Sequence, residues 1–162
     1  MERIFVPEDF VVPASLLTDR YRLEMLNPSV AELDYDAVMS SKERLRQVFR
    51  EDDDWPADDM TLEFNIGDLE QHEAEFRARQ AFAYTVLSPA KDRCVGCVYF
   101  YPSSLPEYDC EAYLWVRESE ADLDDQLCLT IRNWLKTDWP FENPAFPGRE
   151  IPWDQWQGTP GY

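Results

Sequence analysis

Cys110 to Leu135 reads CEAYLWVRESEADLDDQLCLTIRNWL, and the order of residues in this stretch decides the fold. From Glu111 to Val116 the chain is nearly continuous in apolar and aromatic residues, the pattern of a strand covered on both faces. Leu123, Leu127, Ile131 and Trp134 then recur at helical spacing, so a helix with one apolar stripe follows the strand at once. Ser119 with Asp122 three residues later predicts a capping box at the helix start. A strand running straight into a helix N-terminus is a natural seat for a phosphate or cofactor, because unpaired N–H groups and the positive end of the helix dipole meet there. The turn nevertheless carries Glu118, Glu120, Asp122, Asp124 and Asp125, with neither glycine nor a basic residue between Arg117 and Arg132. Carboxylates suit that helix end as internal counter-charges, and the same charges oppose a phosphate.

Working outward, two strands precede this stretch, Ala81 to Leu87 and Arg93 to Tyr101, joined by a turn at Ser88-Pro89-Ala90-Lys91-Asp92. Cys94-Val95-Gly96-Cys97 lies in the second of them. Residues three apart on a regular strand point to opposite faces, so these thiols are expected not to converge, and no metal site is predicted. Thr61 can cap a helix reaching about Arg79, with Leu62, Ile66, Leu69 and Phe76 on one face. His72, the only histidine, lies on that helix with no serine or cysteine motif near it, and is expected to be a packed or exposed residue and not a catalyst. The acidic run over residues 51–59 lacks the glycine and ligand spacing of a calcium loop and reads as a solvated loop.

Tyr21, Leu23 and Met25 alternate with Arg22 and Glu24, the period of a half-buried strand. Ser29 with Glu32 predicts a capping box for a helix bearing Val30, Leu33, Ala37 and Val38, and a second helical piece is expected from Ser41 to Phe49. Residues 1–19 read as an irregular arm with a short extended piece near Phe10 to Val12. After Lys136 the chain becomes rich in proline and aromatic residues, including Trp139, Phe146, Trp153, Trp156 and Tyr162. Proline at this density precludes regular helix, although a short strand around Arg149 to Trp153 is expected. The tail's aromatic rings need cover, either on the chain's own sheet or on a second subunit.

With 162 residues, 44% of them hydrophobic and 14% aromatic, the chain can bury a sizeable core without disulfide or metal staples. Its formal net charge of -18 repels nucleic acid and anionic membranes and attracts basic protein partners. No stretch approaches the apolar length of a membrane span and none has signal-peptide character, so a cytoplasmic, soluble protein is expected. Four scattered cysteines read as reduced and mostly buried.

The order strand, helix pair, strand, strand, strand, helix resembles the first two-thirds of the GNAT acetyltransferase fold. The resemblance covers about Arg20 to Lys136. It rests on the opening strand Tyr21 to Leu26, the strand Ala81 to Leu87, the Val95-Gly96 pair, and Glu111 to Val116 followed at once by a helix. It implies an α/β (α+β) fold with a mixed, mainly antiparallel sheet flanked by helices. Its parts would be an arm over 1–19, a core over 20–136, and a tail over 137–162 packing on the core or on a partner subunit. In that family the turn after the fourth strand carries Arg or Gln, two residues of any kind, Gly, one further residue, and Gly or Ala. Its N–H groups hold the pyrophosphate of acetyl-CoA. Counted from Val116, the basic residue falls about Ala121 and the Gly and Gly-or-Ala positions about Asp124 and Gln126, none of which keeps the family residue, and Asp122 stands between them in the same turn. Glycine lets backbone approach phosphate closely, whereas Asp122 and Asp124 bring side chains and negative charge. Two like charges roughly 5 Å apart repel by about 1 kcal/mol even in bulk water. The family generally continues through a fifth strand, a helix and a final strand pair, for which the residues after Lys136 are too few, so a shortened C-terminal part is expected.

The resemblance and the residues together lead to two functional expectations. In one, the chain is a GNAT-like binding or scaffold module with a degenerate acyl-CoA site, no cofactor, and self-association through its aromatic tail. In the other, it is an atypical N-acyltransferase using acetyl-CoA or another acyl-CoA and an unknown amine. Val116 backbone groups would then hold the thioester carbonyl, and Glu111, placed where some members carry a general base, would accept the amine proton.

Overall fold

The computed structural model describes residues 4–159. The first three residues of the arm and Tyr162 of the tail lie outside the described residues. The strands are β1 (Ser15–Leu17), β2 (Arg22–Met25), β3 (Phe82–Leu87), β4 (Cys94–Tyr101), β5 (Cys110–Val116) and β6 (Pro144–Ala145). The helices are α1 (Ala31–Met39), α2 (Lys42–Leu45), α3 (Leu62–Arg77) and α4 (Asp124–Asp138). The strands form one sheet in chain order. Every neighbouring pair is antiparallel except β5 and β6, which run parallel.

Every residue of β3, β4 and β5 is buried, because helices cover both faces of the sheet. Side chains alternate between the two layers. Tyr99, Tyr113 and Trp115 face Ala37, Val38, Leu45 and Leu69 of α1, α2 and α3. Val98, Phe100, Leu114 and Val116 face Leu127, Ile131, Trp134 and Leu135 of α4. Two such layers on one sheet are the mixed, mainly antiparallel architecture that the sequence resemblance implies.

β4 contains the one irregularity that matters for chemistry. Val86 pairs with Gly96 but Leu87 pairs with Cys94, so β4 carries an extra residue against β3, a bulge at Val95-Gly96. A Cβ at Gly96 would stand 2.0 Å from the backbone oxygen of Trp115, and only glycine allows the two strands to approach this closely. The bulge turns Cys94 to the face that Cys97 occupies, and both thiols enter the α1 layer. The expectation that they diverge, correct for a regular strand, is overturned here.

Several local expectations are also corrected. The arm's strand is Ser15–Leu17, not Phe10 to Val12. Thr18 sets this register: its N–H and hydroxyl both donate to Tyr21 O, and its hydroxyl accepts from Tyr21 N, closing the β1–β2 hairpin. Ahead of α1, Asn27 accepts from Ser29 N at 2.9 Å and the chain makes a short 3-10 turn over Pro28–Val30, in place of a Ser29–Glu32 box. Thr61 does cap α3, accepting from Phe64 N at 3.1 Å. The second helical piece is only Lys42–Leu45. After it, Arg46 bonds Pro56 O and Asp58, tying down the acidic loop.

The tail lies on the chain's own core. Trp139, Phe141 and Phe146 are buried in the α4 layer, Arg132 sits over the Phe146 ring, and Trp153 packs part-buried against the opposite layer. The tail's strand is Pro144–Ala145, where Asp109 accepts from Glu142 N and Asn143 N and draws the chain beside β5. Between 149 and 153 only an isolated Pro147–Ile151 bridge forms, since Pro147 and Pro152 have no N–H to extend a ladder. Among the described residues no helix is long and apolar enough to cross a membrane.

Candidate functional site

β6 accompanies β5 only over Cys110 and Glu111, so among the described residues the edge of β5 beyond them has no strand partner. Gly96 and Val116 face each other while Arg117 N donates to Val95 O at 2.8 Å. That pattern makes Gly96–Val116 a non-hydrogen-bonded pair, whose own N–H and C=O groups point away from β4. Val116 therefore presents its backbone to the open edge, and so does Leu114 two residues earlier.

A groove of about 900 Å³ runs along this edge, with Ser41, Lys42 and Arg44 on one wall and Pro147, Gly148 and Arg149 on the other. Leu114, Trp115, Glu118 and Asp124 also line it. Arg149 reaches the groove because Gly148, at φ +79, reverses the chain after Pro147 in a conformation that glycine adopts freely. Its Nη2 donates to Leu114 O at 3.0 Å, and its two guanidinium nitrogens grip Asp124 at 2.6 and 3.0 Å. Arg44 adds a second cation, 3.3 Å from Asp124 and 3.8 Å from Glu118. Burial works against ionisation of Asp124, but Arg149 and Arg44 together outweigh it and hold the carboxyl below its ordinary range.

The turn between β5 and α4 is a 3-10 segment over Glu118–Leu123, not a capping box. Ser119 is engaged instead as acceptor for Arg117 Nε and Arg93 Nη2. Arg93 also pairs with Glu120 at 3.2 Å. Several N–H groups of this turn are engaged within the chain. Arg117 N donates to Val95 O, Glu118 N to Ser41 Oγ at 2.8 Å, Glu120 N to Arg117 O, and Asp124 N to Ala121 O.

The structure brings together only part of the residue set expected from the sequence. Asp124 lines the groove, and Val116 presents its backbone along the same edge. Ala121 and Asp122 lie in the 3-10 segment. Gln126 is already inside α4 and accepts from Tyr21 OH at 2.7 Å, so it ties the helix to the residue just before β2. Glu111 sits at the opposite end of β5 from Val116, roughly 17 Å away at strand spacing. It is 1% exposed and accepts from Tyr113 OH at 2.8 Å and Ser104 N at 3.2 Å. His72 packs against the Tyr99 ring, and burial lowers its pKa and favours the neutral form.

Arg149, Arg44 and Ser41 are the site residues that sequence reading missed. Arg149 follows Pro147-Gly148 in an aperiodic, proline-rich stretch. Nothing local distinguishes it from a surface arginine until the tail is folded back onto β5.

Comparison of the whole fold with solved structures places this architecture among GNAT acetyltransferases. The chain superposes on the ribosomal-protein-S5-alanine acetyltransferase of Vibrio fischeri with TM-score 0.57 at 15% identity, covering 76% of this chain and 68% of that one. It matches RimL, the ribosomal L7/L12 α-N-protein acetyltransferase, in complex with coenzyme A equally well, with TM-score 0.57, 15% identity and coverage of 76% and 68%. The microcin C7 self-immunity acetyltransferase MccE, in complex with acetyl-CoA and AMP, matches with TM-score 0.54 at 14% identity, covering 74% and 65%. Across eight such structures the chain spans between 64% and 72% of the matched chain's length. No protein-family model matches the sequence, and no curated protein matches it. The chain thus has the GNAT fold, with sequence identity far below the level at which activity carries over.

Proposed function

We propose that this chain is a GNAT-fold protein whose acyl-CoA seat is given over to internal ion pairing, and that it acts as a binding or scaffold module with little or no transferase activity. The observation that carries this reading is the Arg149–Asp124–Arg44 cluster at the start of α4, with Arg149 also holding Leu114 O on the open edge of β5. In a cofactor-binding member the same place would receive phosphate oxygens from the ligand. Here a carboxylate of the chain takes that role toward the arginines, and several of the turn's N–H groups are satisfied within the chain. A pyrophosphate would have to displace Asp124 and approach Glu118 and Glu120 as well, at a cost that grows near a protein surface. The net charge of -18 favours basic protein partners over nucleic acid or membrane.

The groove of about 900 Å³ favours a second reading, an atypical N-acyltransferase. In it the Val116 N–H receives the thioester carbonyl and acetyl-CoA or another acyl-CoA supplies the acyl group, while Glu111, roughly 17 Å along β5 from Val116, would accept the amine proton through a relay of waters or side chains.

A gain-of-binding experiment separates the two readings. The variant Ala121→Arg, Asp122→Gly, Asp124→Gly, Gln126→Gly, Arg149→Ala removes the internal pairing and restores family residues to the turn. With folding checked by circular dichroism, the first reading expects acetyl-CoA to bind the variant at least tenfold more tightly than the wild type. Saturable binding of acetyl-CoA by the wild type that a folded variant does not improve would favour the acyltransferase.

A further inference from the structure

The bulge in β4 has a second consequence, in the layer opposite α4. It places Cys94 and Cys97 on one face, beneath Asp34 of α1. The two Sγ atoms and a carboxylate oxygen of Asp34 all lie within 4.8 Å of one another. All three residues are buried, at 0%, 0% and 3% exposure. We propose that Asp34, Cys94 and Cys97 form a binding site for a zinc-class divalent cation that ties α1 to the bulged strand. The proposal is independent of whether the groove on β5 binds an acyl-CoA.

The geometry fits this ion. Tetrahedral coordination with Zn–S near 2.3 Å and Zn–O near 2.0 Å requires an S···O edge of about 3.5 Å and an S···S edge of about 3.8 Å. Cys97 Sγ stands 3.5 Å from Asp34 Oδ1, and the remaining edges, none above 4.8 Å, lie within about an ångström of the required values. Two thiolates with one carboxylate select a borderline-soft ion over magnesium or calcium, which prefer all-oxygen shells. Three protein ligands leave the fourth position to water.

The surroundings hold the ligands in place. Asn65 Nδ2 donates to Asp34 Oδ2 at 2.9 Å, which leaves Oδ1 turned toward the thiols. Thr85 Oγ1 stands 3.8 Å from Cys94 Sγ. Arg117 Nη1 donates to Cys94 O at 3.2 Å, so a guanidinium lies beside a site whose three anionic ligands leave one negative charge on a divalent ion. Outer partners of this kind fix ligand orientation and tune affinity. A cavity of about 390 Å³ reaches the Asp34 side of the cluster, with Asn65, Asp53, Asp68 and Glu75 also on its lining, and these carboxylates attract a cation.

The test uses the full chain, stripped with chelator under reducing conditions and then titrated with Co²⁺. The expected result is a thiolate-to-cobalt charge-transfer band with tetrahedral visible bands, saturating at one equivalent and displaced by Zn²⁺, and a Tm raised by several degrees with one equivalent of Zn²⁺. Cys97→Ser and Asp34→Asn should weaken Co²⁺ binding at least tenfold, whereas Cys128→Ser and Cys110→Ser should leave the band intact. A folded wild-type chain that shows neither band nor Tm shift overturns the proposal without recourse to any variant. A band that persists in Cys94→Ser/Cys97→Ser but vanishes in Cys128→Ser overturns it equally.

Discussion

Asp124 is a partly buried carboxylate answered by two arginines, and its consequences can be measured one side chain at a time. Arg149→Ala removes the two-pronged pair and the bond to Leu114 O, leaving Arg44 beside Asp124. A loss of about 2 kcal/mol is expected, at the upper end for a charge-assisted contact because the carboxylate is partly desolvated. Urea unfolding of the two proteins checks it. The pH dependence has a defined sign. Since the folded protein holds the Asp124 carboxyl below its ordinary value, its contribution is fully present above the unfolded value of about 4 and is lost as pH falls through the lower folded value. Asp124→Asn should therefore be less stable than wild type at neutral pH, with the difference closing in acid. Equal offsets at pH 7 and in the acid limb would contradict the assignment. The turn's carboxylates were visible in the sequence from the start. The arginine that answers Asp124 was not, because it lies 25 residues further on, in a stretch with no periodicity to mark which face it takes.

At the scale of single elements, β4 and β5 carry most of the information. The alternation and apolar continuity of β3, β4 and β5, and the strand-to-helix order that follows, were legible because burial on both faces leaves a run with few polar interruptions. The bulge at Val95-Gly96 was not, because a register shift is a property of pairing with β3 and leaves no mark on the residue pattern of β4 alone. That single extra residue in β4 separates two diverging thiols from two converging ones. Gly96→Ala tests it directly: a methyl group would be driven against the Trp115 carbonyl, and about 3 kcal/mol of stability should be lost, as for other forced overpacking. A midpoint unchanged within error would show that the strands part more easily than their register implies. Helix ends were legible where a side chain caps directly. Thr61 does so, and Thr61→Ala should cost about 1 kcal/mol. Ser29 and Ser119 satisfied the same pattern, but Asn27 in one case and Arg93 with Arg117 in the other claimed the relevant partners.

For the whole molecule, the sequence order was enough to suggest the GNAT fold, and the sheet of six strands with helices on both faces agrees with it. The destination of the proline-rich tail was left open between the chain's own sheet and a second subunit. Trp139 settles its own case, since it lies in the core against Phe82, Phe100 and Trp134. Trp139→Ala should therefore lose about 4 kcal/mol, while Trp156→Ala, whose ring is part-buried beside Tyr108, should change stability by less than about 1 kcal/mol. Size-exclusion chromatography of the Trp156→Ala protein then reports self-association through the outer part of the tail, free of any folding defect. The central claim, that a GNAT fold here has filled its cofactor seat with its own charges, is tested most directly by calorimetric titration of the wild-type chain with acetyl-CoA. The account predicts no saturable heat up to millimolar ligand. Saturable one-to-one binding in the micromolar range would contradict it.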